Sequence, residues 1–171
     1  GSAFANSGIV VSVTPKDVKE YVKQPELSLM KFQQECERKM YMQNQVAPAQ
    51  RISDFVVGKK SHNIASTSYP SALQACNMNE YLPKIVAEHL KEGFKVFDRR
   101  IKGFISNQAT MIGLESRTSS PVRILRDKDS LQHPQISMLF PCGEGAGYAG
   151  GITSSAIDGV NAAIKISQIL K

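Results

Sequence analysis

The chain has no tryptophan, and its seven Phe and five Tyr make only 7% of the 171 residues aromatic. Three cysteines, Cys36, Cys76 and Cys142, lie far apart, are odd in number and form no C-x-x-C. They argue against a disulfide framework and for a reduced, intracellular setting, so a cytoplasmic location is expected. His62, His89 and His133 are the only histidines and show no metal-ligand spacing, so no metal site is expected. No apolar run reaches the length of about 18 residues that a membrane span needs, and no secretory leader is visible. The positive charge lacks focus as well. A net +6 arises from 21 Lys and Arg against 15 Asp and Glu, and the densest groups are Lys59-Lys60 and Arg99-Arg100. No basic stripe interleaved with aromatics appears, so nucleic acid is not an expected partner. The surplus charge favours solubility and a phosphate-bearing ligand.

What remains is ordinary globular composition, 42% hydrophobic and 21% charged, with length for one domain or one and a half. Ile9 to Val13 is a β-branched run between Asn6-Ser7-Gly8 and Thr14-Pro15, which predicts a strand bounded by turns. Leu29, Phe32, Cys36 and Met40 recur at helical spacing and predict a helix from about Glu26 to Gln43. Residues 44–78 read as a long polar connection in which Gln50 to Phe55 begin a short element. Its part from Gly58 to Ser71 suits a contact loop, since long ordered loops tend to be functional or packed on a partner. A helical zone from about Asn79 to Lys102 carries Leu82, Ile85, Val86, Leu90, Phe94, Phe97 and Ile101 as an apolar core stripe. Gly93 is the point at which that zone would divide. Met111–Leu114, Val122–Leu125 and Ile136–Phe140 read as strands. A last helix runs from about Ile152 to Leu170, with Ile157, Val160 and Ile164 facing inward.

The most informative stretch runs from Phe140 to Thr153. A predicted strand precedes it and a predicted helix follows, and Gly145, Gly147 and Gly150 match G-x-G-x-x-G. A primary dinucleotide site needs a second parallel strand and an acidic residue about 20 positions on to hold a ribose. Lys171 follows too soon, and Asp158 lies inside the last helix, so the loop is expected to complete a site whose main half lies elsewhere. Five glycines within nine residues, from Gly143 to Gly151, let backbone approach a ligand closely. The amides that open the last helix provide partial positive charge for a phosphate or an electron-rich carbonyl. The bland alternative is a tight strand-to-helix turn with no ligand.

These residues resemble a bacterial family of FAD-dependent or NAD(FAD)-utilising dehydrogenases. The resemblance covers Gly1 to Val10, Ala47-Pro48-Ala49-Gln50-Arg51 with Asp54-Phe55, Gly113 to Ile124, Pro141 to Ser154, and Asp158-Gly159. Its members are similar to two-domain flavoproteins, in which an N-terminal dinucleotide fold holds FAD, a middle domain is inserted, and the chain returns to finish the flavin site. The resemblance implies that residues 1–13 are a crossover strand from the FAD-binding domain, 14–108 an inserted substrate or cap domain, and 109–171 the segment completing the FAD-binding domain. The fold expected is α+β, a helical middle domain with a small mixed sheet plus a C-terminal strand-loop-helix return. The implied cofactor-binding residues are Ser119, Ser120 and Pro121 in a turn that approaches the flavin ring, Gly143 and Glu144 beside the ribityl chain, Gly150, Gly151 and Ile152 near the pyrimidine end of the flavin, and Gly145, Ala149 and Thr153 in the same loop. FAD is the implied cofactor of the parent protein, with NAD(P)H as electron donor. The missing N-terminal dinucleotide-binding domain is the implied partner. The substrate is an unidentified small molecule, and the fragment alone is expected to be inactive and poor at holding flavin.

Around that reading several residues stay open. Arg117 and Arg123 bind an anionic substrate or pair with Glu115 and Asp127, the pairing being the commoner fate of a surface arginine. Cys142, without a partner thiol, reads as a small packed residue. Tyr148, Glu115 and His133 are acid or base candidates by residue type alone. Two other functions compete: a non-catalytic interaction or oligomerisation domain, with a homo-oligomer as its product, and a standalone nucleotide-binding module built on the glycine loop.

Overall fold

The computed structural model describes residues 3–21, 24–42 and 46–170. Its elements in chain order are α1 (Ser28–Met40), β1 (Ala47–Arg51), α2 (Ile52–Val57), β2 (Leu73–Ala75), α3 (Lys84–Arg100), β3 (Thr110–Ile112) and α4 (Ile152–Ile169), with short 3₁₀ turns before α1 and α3. The fold class is α+β, as the sequence predicts. Two compact units are present. One consists of Gly1–Thr14 with Gln34–Ser116, and the other of Pro15–Gln33 with Arg117–Lys171.

The first unit contains the sheet and the main apolar core. The strand order is β2-β1-β3. β1 pairs parallel with β2, Ala49 opposite Ala75, and antiparallel with β3, Gln50 opposite Met111. Pro48 therefore stands in the central strand, where a missing N–H normally argues against a strand. Its carbonyl accepts from the Gly113 N–H at 3.1 Å, and the antiparallel register begins one residue later, at Ala49. α3 packs against α2 and the 3₁₀ turn at Met78–Glu80, with Ala87, Leu90 and Phe94 buried. The spacing of three and four residues puts them on one face. Phe94 meets Phe55 of α2 edge-to-face, with ring centroids 5.9 Å apart. Such a pair contributes about 1 kcal/mol beyond its buried area. Met40, Cys76, Met78 and Leu82 complete the cluster. With no tryptophan to fill space, flexible methionines take irregular gaps.

Several sequence expectations change here. Residues 9–13 form no strand; Ile9 and Val11 instead pack on the core of the first unit while Val10 stays exposed. α3 begins at Lys84 rather than Asn79 and continues through Gly93 without a break. α1 ends at Met40, so Tyr41 and Met42 are not helical as expected, and Gln43 lies outside the described residues. The sheet draws only β3 from the residues expected to build it.

The second unit is organised differently. Among its described residues no strand forms, and the buried apolar side chains are Val18, Phe32, Ala146 and Ala162. Residues 122–125 are not a strand, because Ile124 gives its N–H to Ala146 O of the glycine loop at 3.2 Å instead of to a neighbouring strand. Residues 136–140 are not a buried strand either. Met138 has φ 60°, which breaks an extended run, and Ile136, Met138 and Leu139 are exposed. α4 forms where expected, but its apolar stripe is reversed in burial. Ile157, Val160 and Ile164 are 57%, 58% and 51% exposed, and Ala162 is the buried position.

Candidate functional site

The glycine loop lies in the second unit and is fixed mainly by polar contacts. Gly143 adopts φ 72° and Gly147 φ 83°, both in the left-handed region that favours glycine. Gly147 N–H donates to Glu144 O at 2.9 Å and Tyr148 N–H to Gly143 O at 3.0 Å, closing a compact turn. A Cβ at Gly147 would meet Val122 O at 2.6 Å, so this glycine is required by the packing of the loop on residues 122–123.

An ion pair locks the turn to α4. Arg126 Nη2 donates to Asp158 Oδ1 at 2.7 Å and Nη1 to Asp158 Oδ2 at 3.0 Å, a two-pronged contact. Nη1 also reaches Pro141 O at 2.8 Å, and Gly143 N–H donates to Asp158 Oδ2 at 2.8 Å. Both side chains are largely shielded, at 11% and 15% exposure. The Arg126 guanidinium, and after burial is offset the Gly143 amide, hold the Asp158 carboxyl below its usual range. Tyr148 is gripped in turn. The Arg126 guanidinium sits 3.6 Å from its ring centroid and Arg123 5.1 Å, while its hydroxyl donates to Ile124 O at 2.9 Å.

The structure brings the Ser119–Pro121 turn to the loop. Ser120 Oγ donates to Val122 O at 2.8 Å and lies 3.3 Å from Gly145 O. The nearest atom to a Cβ at Gly150 would be Thr118 O at 3.7 Å, an ordinary contact. Ser119, Glu144, Gly145, Gly150, Gly151, Ile152 and Thr153 are exposed, and Ala149, Gly143 and Pro121 half-buried. The amides of Ile152 and Thr153 open α4 and have no partner among the described residues. Ser154 Oγ bridges Gly151, accepting from its N–H at 3.2 Å and donating to its carbonyl at 3.0 Å. Ser155 Oγ is buried and without a partner among the described residues, and a Cβ at Gly143 would lie 3.9 Å from Ser155 Cβ.

Two glycines of the five are thus explained by the fold, Gly143 by its φ and Gly147 by φ and close approach. Gly145, Gly150 and Gly151 have neither a left-handed φ nor a neighbour that a Cβ would displace.

Other candidates find plain structural roles. Arg123 donates from Nε to Gly147 O at 2.9 Å rather than to Asp127. Asp127 caps its own turn, accepting from Asp129 N, Ser130 N and Ser130 Oγ. His133 Nδ1 accepts from the amides of Gln135 and Ile136 at 3.1 Å. Tyr148 is a clamp. Cys142 is exposed, not packed, which corrects the expectation for it. Among the described residues no group of three His, Cys, Asp or Glu could hold a metal, and no helix is long and apolar enough to cross a membrane. Sequence reasoning missed Arg126 altogether and set Asp158 aside as a helix residue. The available signal was that an aspartate one turn and a half into a helix can reach back to the loop before it.

Residues 1–118 match the family described as FAD-dependent protein, C-terminal domain-like. The chain belongs to this family. A relative from Clostridium beijerinckii (strain ATCC 51743 / NCIMB 8052), named only as an uncharacterized protein, is 40% identical over 169 residues. That match covers 96% of this chain and 31% of the relative, so the chain spans under a third of the relative's length. The family match ends within two residues of Ser116, where the first unit ends, and the glycine loop lies beyond it. The relative's match, over 96% of the chain, takes in the loop.

Proposed function

We propose that this chain is the flavin-facing portion of an FAD-dependent oxidoreductase, a dehydrogenase whose dinucleotide fold lies in the rest of the parent polypeptide. The observation that carries this reading is the division among the glycines. Gly143 and Gly147 serve the turn itself, while Gly145, Gly150 and Gly151 leave an open, side-chain-free surface beside exposed amides. Membership of the FAD-dependent family supports FAD as the group that this surface meets.

The chain's own residues then act by position and electrostatics. The Ile152 and Thr153 amides, with the partial positive charge of the α4 N-terminus, stabilise negative charge placed against them. Glu144 offers an exposed carboxylate to accept from a sugar-like hydroxyl. Arg126 and Asp158 are positioning residues that fix the angle between loop and helix. Ser120 tethers the turn at residues 119–121 to the loop. A bound flavin supplies hydride chemistry, for which NAD(P)H is the proposed donor.

The test uses the full-length protein. FAD titration should show saturable binding, and Gly150→Val should weaken it about tenfold or more, equivalent to about 1.4 kcal/mol. The melting temperature without FAD should stay unchanged, since that position is uncrowded. Failure of the full-length protein to bind FAD would end this reading.

A second reading is favoured by α4. Ile152 is 94% exposed, and Ile157, Val160 and Ile164 are each more than half exposed. Such a stripe supports association, either with the remaining parent polypeptide or as a homo-oligomer. Light scattering over a concentration range distinguishes them: mass that rises with concentration in the full-length protein favours self-association.

A further inference from the structure

The corner where β1 passes into α2, in the first unit, holds a second concentration of chemistry. Gln50 is fully buried there, its Nε2 donating to Lys59 O at 2.6 Å and its Oε1 accepting from Met78 N at 2.7 Å. Gly58 turns the chain with φ 73°, and Lys59 N–H donates to Asp54 O at 2.9 Å. Ser61 is 1% exposed. Its Oγ donates to Asp54 Oδ2 at 2.6 Å and accepts from Arg51 N at 3.0 Å, and its N–H reaches Cys76 O at 3.4 Å. The backbone of residues 58–61 is therefore pinned by buried groups while Lys59 and Lys60 stand exposed at its crest.

Arg51 is held from the other side. Its Nε donates to Asn63 O at 3.2 Å and its Nη2 to Asn63 Oδ1 at 2.5 Å. Between these segments lies a cavity of about 650 Å³ lined by Arg51, Lys59, Lys60, His62, Asn63 and Asn107, with Asp54 at one wall. Three cationic side chains face one carboxylate, and that carboxylate already accepts from Ser61. Arg51 Nη1 and both lysine ammonium groups have no partner among the described residues. The lining has no large apolar side chain, so a purely hydrophobic ligand finds little to bury against.

We propose that this pocket binds a phosphorylated small molecule, its phosphoryl group held by Arg51, Lys59 and Lys60. A carboxylate would bring one charge and two oxygens. A phosphoryl group brings close to two charges and three oxygens, a better match to two ammonium heads and a guanidinium edge. The volume lies within the range of roughly 300–1,000 Å³ for small-molecule sites, so the phosphoryl group belongs to something larger than the free ion. The buried Gln50 and Ser61 contacts hold the loop in place before binding, which limits the ordering entropy that binding would cost. This site stands independently of the flavin reading.

The test is titration of the full chain with inorganic pyrophosphate at fixed ionic strength, followed by backbone amide NMR. Saturable shifts should centre on residues 51 and 59–63, and the K59Q/K60Q double variant should weaken binding about tenfold or more. That variant should keep the wild-type melting temperature, because neither ammonium group has a hydrogen-bond or ion-pair partner among the described residues. Arg51→Lys, which keeps charge but loses the fork, should weaken binding without abolishing it. ADP binding more tightly than pyrophosphate would assign the site to a nucleotide, and ribose 5-phosphate doing so would assign it to a phosphorylated sugar. Shifts scattered over all surface lysines, or equal affinity in K59Q/K60Q, would overturn the proposal.

Discussion

The two units hold themselves together by different means. The first buries a contiguous apolar cluster around Phe55, Met78 and Phe94 against a three-stranded sheet. The second buries few apolar side chains and relies on Arg126, Asp158, Tyr148 and main-chain contacts to fix its loop. A core resists perturbation in proportion to area removed from water, whereas a charged clamp depends on geometry and pH. The contrast accounts for what each displays. The first presents a pinned polar pocket, and the second an open glycine surface and an uncovered helix stripe.

The largest effect expected is in the first unit. Phe94→Ala should cost about 3–5 kcal/mol, read by denaturant unfolding followed by a probe near α3. Loss of the same amount from probes in residues 117–170 would break the distinction between the units. Next comes the clamp. Arg126→Met leaves Asp158 shielded and unpaired, and should cost the second unit about 3 kcal/mol, the low end for a broken buried pair. Gln50→Ala follows at about 2 kcal/mol, because Met78 N and Lys59 O then lose a buried partner. The pH dependence sharpens the comparison further. Asp158 is held below its usual range by Arg126 and the Gly143 amide, so its contribution is fully present above the unfolded value of about 3.9. It disappears as pH falls through the lower folded value. The second unit should therefore lose stability in acid, and Asp158→Asn should flatten that limb in a melting-temperature profile. The smallest effect is Val160→Asn on the exposed face of α4, within about 0.5 kcal/mol for the chain alone.

Much of the helical framework was legible in the sequence, because Phe32, Cys36 and Met40, or Leu90 and Phe94, repeat at the period of a helix and are buried as that repeat requires. The sheet was not. β1 reads Ala-Pro-Ala-Gln-Arg, with Pro48 and no β-branched residue, and β2 has three residues, so neither has the β-branched alternation by which strands are read. Periodicity also cannot say what covers a stripe. Ile157, Val160 and Ile164 share a face of α4 as expected, yet that face is exposed. At the site, the glycine spacing drew attention to the loop. Which glycines the turn itself needs depends on φ and on neighbours such as Val122 O, and those follow only from the fold. Arg126 and Asp158 are 32 residues apart, a separation that no local pattern encodes.

The central claim is that the surface from Gly145 to Thr153 faces a flavin in the parent protein. Backbone amide hydrogen exchange of the full-length protein, with and without added FAD, examines it residue by residue. FAD should slow exchange at Gly150, Gly151, Ile152 and Thr153, while the amides of Gly143 and Gly147, already bonded to Asp158 and to Glu144 O, change little. Slowing confined to other segments, with Gly150 to Thr153 exchanging at the same rate in both samples, would contradict it.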